Sequence, residues 1–171
     1  MTPALHAHAP PVIRAARPED APLLALWAIA MARETEHKQL DPDTVARGVG
    51  AVFEQPARGG YFIAERSVGH ARVSVGTLML THEWSDWRCG NWWWIQSVYV
   101  DPAHRRSGVY RALYEHVHAL AQAAPDVCGL RLYVERTNEN AQQTYGALGM
   151  VDAGYAIFEA EFRIGKAMRG S

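Results

Sequence analysis

The sequence predicts an α+β protein in which helices cover both faces of a central, mixed but mostly antiparallel sheet, giving three α/β/α layers. Segments with strand and helix periodicity follow each other in the order β-α-α-β-β-β-α-β-α-β. Three of the β-rich runs are consecutive, which favours antiparallel neighbours. The 171 residues are enough for one domain with a proper core. We expect this domain over residues 12–162, between a disordered tail over 1–11 and a C-terminal tail over 163–171.

The first predicted elements are a short strand and two helices. Val12–Ala16 is short and apolar, as in a strand. Asp20 is a candidate N-cap for the first helix, with Pro22 in its first turn. A second helix is predicted over Asp43–Glu54, because its apolar residues fall on one side. The proline and two glycines of residues 55–60 end it.

The middle of the chain predicts strands. Tyr61–Arg66 and His70–His82 are β-rich runs separated by a glycine. Trp92–Val100 is a third such run, joined to the second by the polar, aromatic connection of residues 84–91. We expect the second and third runs to form a long hairpin.

The last third returns to alternating helices and strands. Apolar residues recur at helical spacing from Val109 until Pro125. A strand over Leu130–Glu135 is predicted, with Arg131 on its solvent-facing (wet) side, followed by a short helix over Ala141–Leu148. Tyr155–Phe162 is predicted as a final strand.

Composition excludes several kinds of protein. A net charge of −1 argues against nucleic acid as the main partner. Two cysteines provide neither a disulfide framework nor metal-ligand spacing, and two helical histidines, His116 and His118, point about 200° apart, so no metal is expected. Residues 1–11 resemble neither a signal peptide nor a membrane span. The expectation is a cytoplasmic protein that binds no membrane.

Residues 98–111 form the most informative segment. A β-rich run stops at Asp101-Pro102, a basic loop follows, and Gly108 begins a helix. The first amides of a helix have no internal partner, so such a junction can bind a pyrophosphate. A valine after Gly108 excludes a nucleoside-triphosphate P-loop, and a single glycine excludes a dinucleotide fingerprint. Taken alone, the segment is equally compatible with an ordinary turn carrying solvated arginines.

Two motifs in the right order resemble the GNAT superfamily of acyl-CoA N-acyltransferases. Residues 105–110, Arg-Arg-Ser-Gly-Val-Tyr, are similar to the family's Arg/Gln-x-x-Gly-x-Gly/Ala loop, with Tyr110 in place of a small residue. Asn138, Ala141, Tyr145 and Gly149 match the family's Asn-x-x-Ala-x-x-x-Tyr-x-x-x-Gly segment. The resemblance implies a GNAT-like sheet of six to seven strands and acetyl-CoA as the cosubstrate, with no metal.

The resemblance also implies how the cofactor binds. A bulge within Trp94–Val100 would make this strand diverge from the next one, and the pantetheine arm would bond to the backbone of Val98 and Val100. Tyr110 must then point away from the cofactor. The cofactor-binding residues implied are Val98, Tyr99, Val100, Arg105, Arg106, Ser107, Gly108, Val109, Tyr110, Arg111, Asn138 and Tyr145.

Catalysis requires an acid and a base. Tyr145 matches the family's general-acid tyrosine, its alternative role being a core aromatic, while Asn138 contacts the cofactor or caps a helix. Many relatives carry a glutamate on the bulged strand where this chain has Gln96, which cannot accept a proton. Glu83 is the first candidate base, and His82 is the second.

The acceptor is expected to be a primary amine of a small molecule or a protein. Acidic and aromatic residues suited to a cationic amine lie near the hairpin and at the end of the first helix: Glu83, Trp84, Asp86, Trp87 and Glu34. The loss of the usual glutamate leaves an alternative open, a non-catalytic acyl-CoA-binding module. Relatives are commonly dimers, so a homodimer is the expectation from resemblance alone.

Overall fold

A computed structural model describes residues 9–160 and 162. They divide into two compact units, with the boundary along the chain between Tyr133 and Val134. The first unit contains the strands β1 (Val12–Ala15), β2 (Gly60–Val68), β3 (Ala71–Ser85), β4 (Gly90–Val100) and β5 (Val127–Leu132). Its helices are α1 (Ala21–Glu36), α2 (Pro42–Glu54) and α3 (Val109–Ala123), and the second unit contains α4 (Glu139–Ala147). None of these helices is long and apolar enough to cross a membrane.

The strands form one sheet in the order β1-β2-β3-β4-β5. The first four are antiparallel neighbours, and β5 is parallel to β4. The predicted hairpin is present, because β3 and β4 pair from Ser85–Gly90 down to Gly76–Val100. The helix α3 connects the parallel strands, as a parallel pair requires a crossover.

The helices of the first unit cover opposite faces of the sheet. Thr77 on β3 is opposite Tyr99 on β4, and the Tyr99 ring packs on Trp27 of α1 with 6.0 Å between ring centroids. A Cβ on the preceding residue, Gly76, would come within 3.0 Å of Val109 in α3. Successive residues of a strand point to opposite faces, so α1 and α3 lie on different sides. The predicted three-layer α+β arrangement is confirmed.

The core is divided between the two faces. On the α1–α2 side, side chains such as Leu24, Trp27, Val49 and Ile63 form one cluster with Tyr99. On the other side, Val109, Leu113 and Val117 of α3 are fully buried. The predicted helical stripe of α3 is therefore its buried face.

An ion-pair network connects β1, β2 and the turn before α1. Arg14 donates to both carboxylate oxygens of Asp20, at 2.7 and 2.9 Å, and to Glu65 at 2.7 Å. Asp20 also accepts from the Arg17 amide at 2.7 Å. Asp20 precedes α1 as predicted, but its side chain does not cap this helix. Its carboxylate instead connects the start of the helix to the sheet.

The predicted final strand is wrong. Residues 155–160 and 162 have no regular structure, and Phe158 is 94% exposed. A strand requires a partner backbone, and α4 is the single regular element described in the second unit. The sheet therefore has five strands within the described residues, not six to seven. Most of the predicted N-terminal tail and all of 163–171 lie outside the described residues, and a single domain over 12–162 stays a prediction.

Asp20→Asn should lower the free energy of unfolding by about 1–2 kcal/mol at pH 7, because it removes one charge from a part-buried pair. The Arg14 hydrogen bonds hold the pKa of Asp20 below its usual value. The stabilisation is therefore fully present above the unfolded-state pKa of about 4 and is lost as the pH falls through the lower folded-state value.

Urea unfolding at pH 7 and at pH 3 measures this difference. The neighbouring Glu19→Gln is the matched control, because Glu19 is exposed. An equal loss of stability at both pH values would contradict the ion-pair account.

Candidate functional site

The central feature of the site is a bulge in β4. Leu80 is opposite Ile95, whereas the next residue of β3, Met79, is opposite Ser97. β4 therefore carries one extra residue, Gln96, which is exposed. A bulge bends the strand and ends regular pairing on that side. The bulge implied for Trp94–Val100 is confirmed.

Pairing between β4 and β5 stops at this bulge. The recorded pairs run from Asn91–Val127 to Ile95–Leu132, while β4 continues to Val100. Because β5 itself ends at Leu132, the implied divergence of the two strands stays a prediction. One edge of residues 96–100 faces away from β3 with no pairing to β5.

Val98 and Val100 present their backbone groups to this open edge. The Asp101 amide donates to Val75 on β3 at 3.0 Å, so Tyr99, two residues earlier, also directs its backbone groups toward β3. The backbone groups of Val98 and Val100 are therefore directed away from β3. The N–H and C=O of Val98 and the N–H of Val100 thus face the open edge, while the Val100 carbonyl accepts from Arg105 at 3.0 Å. The predicted cofactor residue Tyr99 instead directs its backbone toward β3 and its ring into the core.

The loop after β4 is held in a special conformation. The Ser107 hydroxyl donates to the His104 carbonyl at 2.5 Å. Arg106 has a φ of 58° and Gly108 a φ of 82°, both in the left-handed region. A Cβ on Gly108 would meet nothing within 4 Å, so glycine is favoured there by its backbone conformation. Because its proton is engaged, the Ser107 hydroxyl braces the loop and does not present a donor to a ligand.

The N-terminus of α3 follows this loop. Ala112 donates the first bond of the helix to the Gly108 carbonyl at 3.0 Å. The amides of Gly108 and Val109 precede this bond, and the positive end of the helix dipole lies with them. Tyr110 turns inward, with its hydroxyl buried and its ring 6.4 Å from that of Tyr114. Its orientation agrees with the expectation that Tyr110 points away from the cofactor. We call the loop of residues 105–108 together with the first amides of α3 the cradle.

The arginines of the loop have different surroundings. Arg106 is exposed, and Arg111 is an exposed neighbour of Glu115 at 3.6 Å. Arg105 points back, donating to Glu34 of α1 at 2.5 Å and to the Val100 carbonyl at 3.0 Å. Sequence reasoning assigned Arg105 to the cofactor and Glu34 to the acceptor, and the structure brings these two residues together.

Glu34, Tyr99 and Arg105 form one polar group. The Tyr99 hydroxyl donates to Glu34 at 3.1 Å, and the Arg105 guanidinium lies 5.5 Å from the Tyr99 ring centre. The bond from Arg105 lowers the pKa of Glu34, while burial and the bond to Glu34 raise the pKa of Tyr99. Glu34 is thus an ionised anchor for the loop.

Glu83 is enclosed by groups from the neighbouring strands. Arg131 of β5 donates to both of its oxygens at 3.0 and 3.1 Å, and the Trp94 indole donates to one of them. The Arg131 guanidinium lies 4.1 Å from the centre of the Trp92 ring, and Trp94 stacks on Tyr133 at 4.4 Å. We call Glu83, Trp92, Trp94, Arg131 and Tyr133 the Glu83 cluster.

The other acceptor candidates do not join this cluster. Glu83 and Trp84 are successive residues of β3, so their side chains point to opposite faces. Trp84 and Trp87 are 59% and 89% exposed, and Asp86 accepts from the Trp87 amide in the hairpin turn at 2.8 Å. His82 is exposed and lies on the face opposite to Glu83.

The second unit carries Asn138 and Tyr145. Asn138 accepts from the Ala141 amide at 3.0 Å and thus caps α4. Tyr145 is half-buried in the middle of this helix, and burial raises its pKa. The predicted capping role of Asn138 is confirmed, while cofactor contacts by both residues stay predictions.

Sequence reasoning missed Arg66 and Arg131. Arg66 belongs to the inward-facing series of β2, after Phe62 and Ala64, and is 6% exposed. The sequence does contain a signal for this buried charge, because Arg66 occupies a position where the alternation along the strand calls for an apolar residue. Arg131 was assigned to a wet face, and its pairing with Glu83 depends on three strands being adjacent.

Comparison with known proteins agrees with this geometry. Residues 22–150 match the model of the acetyltransferase (GNAT) family. The structure of "a possible acetyltransferase" from Clostridium difficile 630 is 38% identical, with a TM-score of 0.81 over 90% of this chain and 99% of that chain. No curated protein matches the sequence significantly.

More distant structures share the fold. An aminoglycoside N-acetyltransferase in complex with CoA is 17% identical, with a TM-score of 0.67 over 88% of this chain and 94% of that one. A ribosomal-protein-alanine N-acetyltransferase from Brucella melitensis biovar Abortus 2308 is 16% identical, with a TM-score of 0.66 over 89% and 99%. At these identities the likeness concerns the fold alone.

Proposed function

The chain belongs to the GNAT family of acetyltransferases, and we propose that it transfers an acetyl group from acetyl-CoA to a primary amine of a small molecule or a protein. The observation that carries this proposal is the open edge of β4 leading directly into the Gly108 loop. The pantetheine amides pair with Val98 and Val100, as a strand would. The pyrophosphate binds at the Gly108 and Val109 amides, with no metal.

The reaction is a direct transfer. The neutral amine nitrogen attacks the thioester carbonyl carbon, a C–N bond forms, and the C–S bond breaks. The nitrogen loses a proton and the departing coenzyme A thiolate gains one. Tyr145 supplies the latter proton in this proposal. Burial raises its pKa, so the phenol stays protonated at neutral pH and can act as an acid.

Glu83 fits acceptor binding better than proton removal. Its two oxygens already accept bonds from Arg131 and Trp94, which holds the carboxylate in one orientation. Aromatic rings beside it suit an amine that carries apolar surface. Gln96 cannot serve as the base, and His82 lies on the face opposite to Glu83, so the amine proton leaves through water or the amine arrives neutral.

A non-catalytic acyl-CoA-binding module is the second candidate function. Gln96 at the bulge favours it, because the strand offers no proton acceptor there. Such a module would bind acetyl-CoA and transfer nothing. Acetylation of any amine by the protein would exclude this second function.

Acetyl-CoA and free coenzyme A should each raise the melting temperature, whereas ATP should not. At about one hundred times Kd, binding to the folded state adds about 2.7 kcal/mol, which corresponds to about 5–10 °C for a chain of this size. Thermal unfolding with the three ligands in parallel measures the shift, followed by thiol release with a panel of amines. No shift with either coenzyme would contradict the proposed function.

Tyr145→Phe should lower kcat about 100-fold or more, the usual size of a general-acid contribution, and leave the Kd of acetyl-CoA within about twofold. Because burial raises the pKa of this phenol above its ordinary value, the wild-type rate should show no loss of this acid between pH 7 and pH 9. Steady-state kinetics and titration calorimetry measure the two effects.

Tyr155→Phe is the control, because Tyr155 is an exposed tyrosine of the same unit. A Tyr145→Phe enzyme with full kcat would remove the acid role. Weakened binding of acetyl-CoA with unchanged kcat would make Tyr145 a cofactor contact.

Glu83→Gln should raise the KM of the amine about tenfold while changing kcat by less than about threefold, since a lost polar contact is worth about one power of ten. Initial rates at saturating acetyl-CoA provide both constants. The exposed Glu54→Gln is the control. A fall in kcat with unchanged KM would instead identify Glu83 as the base.

A further inference from the structure

Arg66 is a buried charge that the proposed reaction does not use. It lies on β2 with 6% of its surface exposed. Its side chain shares the α3 face with Phe62 and Ala64, because alternate residues of a strand point the same way. Ala64 is fully buried, so Arg66 lies at the end of an apolar row.

The guanidinium has a single recorded hydrogen bond. Its Nη2 donates to the Ser107 carbonyl at 2.6 Å. Its Nε and Nη1 are buried and have no hydrogen-bond partner among the described residues. No described carboxylate forms an ion pair with Arg66. The described residues thus provide Arg66 with no negative charge.

Such an arrangement is costly for the protein alone. A buried ion without a counter-charge loses its hydration and gains little in return. Histidine or lysine could escape by losing a proton, but arginine remains charged. A counter-charge supplied from outside the chain would remove the imbalance.

The contact with Ser107 places this charge beneath the cradle. In a trans peptide, the C=O and the following N–H point in opposite directions. Because the Ser107 carbonyl points at Arg66, the Gly108 amide is directed away from it. Arg66 therefore orients the first amide of the cradle and adds a full positive charge behind it.

We propose that Arg66 is the buried counter-charge of the pyrophosphate of bound acyl-CoA, acting through the Ser107–Gly108 peptide as a positioning residue. This inference rests on the acyl-CoA function proposed above. The two charges attract through protein rather than water, where the interaction is stronger. The device selects acyl donors that carry a pyrophosphate over those that carry the pantetheine arm alone.

Three substitutions separate the charge from the hydrogen bond. Arg66→Met removes both, Arg66→Gln can still donate to the Ser107 carbonyl but is neutral, and Arg66→Lys can carry the charge when a bound anion holds it in its protonated form. Arg72→Met is the control, because Arg72 is an exposed arginine of the adjacent strand. Each protein is titrated with acetyl-CoA, acetyl-dephospho-CoA and acetyl-pantetheine, and its melting temperature is measured without ligand.

The Met and Gln variants should bind acetyl-CoA and acetyl-dephospho-CoA about 10-fold to 100-fold more weakly, the size of a lost charge-assisted contact. Arg66→Lys should retain most of the affinity, and acetyl-pantetheine should bind the wild type and all four variants equally. Without ligand, the neutral variants should melt at or above the wild-type temperature, because an unpaired buried charge has been removed.

Several results would overturn the proposal. Unchanged affinity in the Gln variant with a loss in the Met variant would reduce Arg66 to a hydrogen-bond donor. A loss for acetyl-CoA but not for acetyl-dephospho-CoA would assign the charge to the 3′-phosphate. Lower melting temperatures with equal losses for all three ligands would indicate a structural role. If the wild-type protein binds no coenzyme at all, the proposed acyl-CoA function itself is wrong.

Discussion

One extra residue in β4 sets the geometry on which the site depends. Up to Ile95, β4 is paired on both sides, to β3 and to β5. At Gln96 the register shifts, and the outer edge of the strand is open from there to Val100. An open edge presents unpaired backbone groups, and these are the groups to which the amides of the pantetheine arm bind in the proposed function.

The loop beyond this edge combines two arginines with opposite environments. Arg105 is on the surface and holds Glu34 and the Val100 carbonyl, so it ties α1 to the end of β4. Arg66 is buried below the same loop and holds the Ser107 carbonyl. The surface arginine already has its counter-charge, whereas the buried one lacks it.

Periodicity predicted most elements of the first unit because their apolar faces are buried where the spacing says they are. The stripe of α3, the β3–β4 hairpin and the helix over Pro42–Glu54 are examples. The strand over Tyr155–Phe162 was wrong for a physical reason, since β propensity measures how a residue fits a paired, half-buried surface. Residues 155–160 and 162 have the composition of a strand without a partner among the described elements. β propensity alone cannot provide the partner strand.

The sequence by itself determined the order of the elements at the predicted pyrophosphate site: a strand end, a basic loop with one glycine, and a helix start follow one another within a few residues, so local rules suffice. Only the tertiary structure decided which partners the charged side chains have. Glu83 meets Arg131 across three strands, Arg105 reaches Glu34, and Arg66 reaches Ser107. These partners are separated by 41 to 71 residues. Side-chain partnership at such distances is set by strand register and helix packing, which no local pattern of residue types contains.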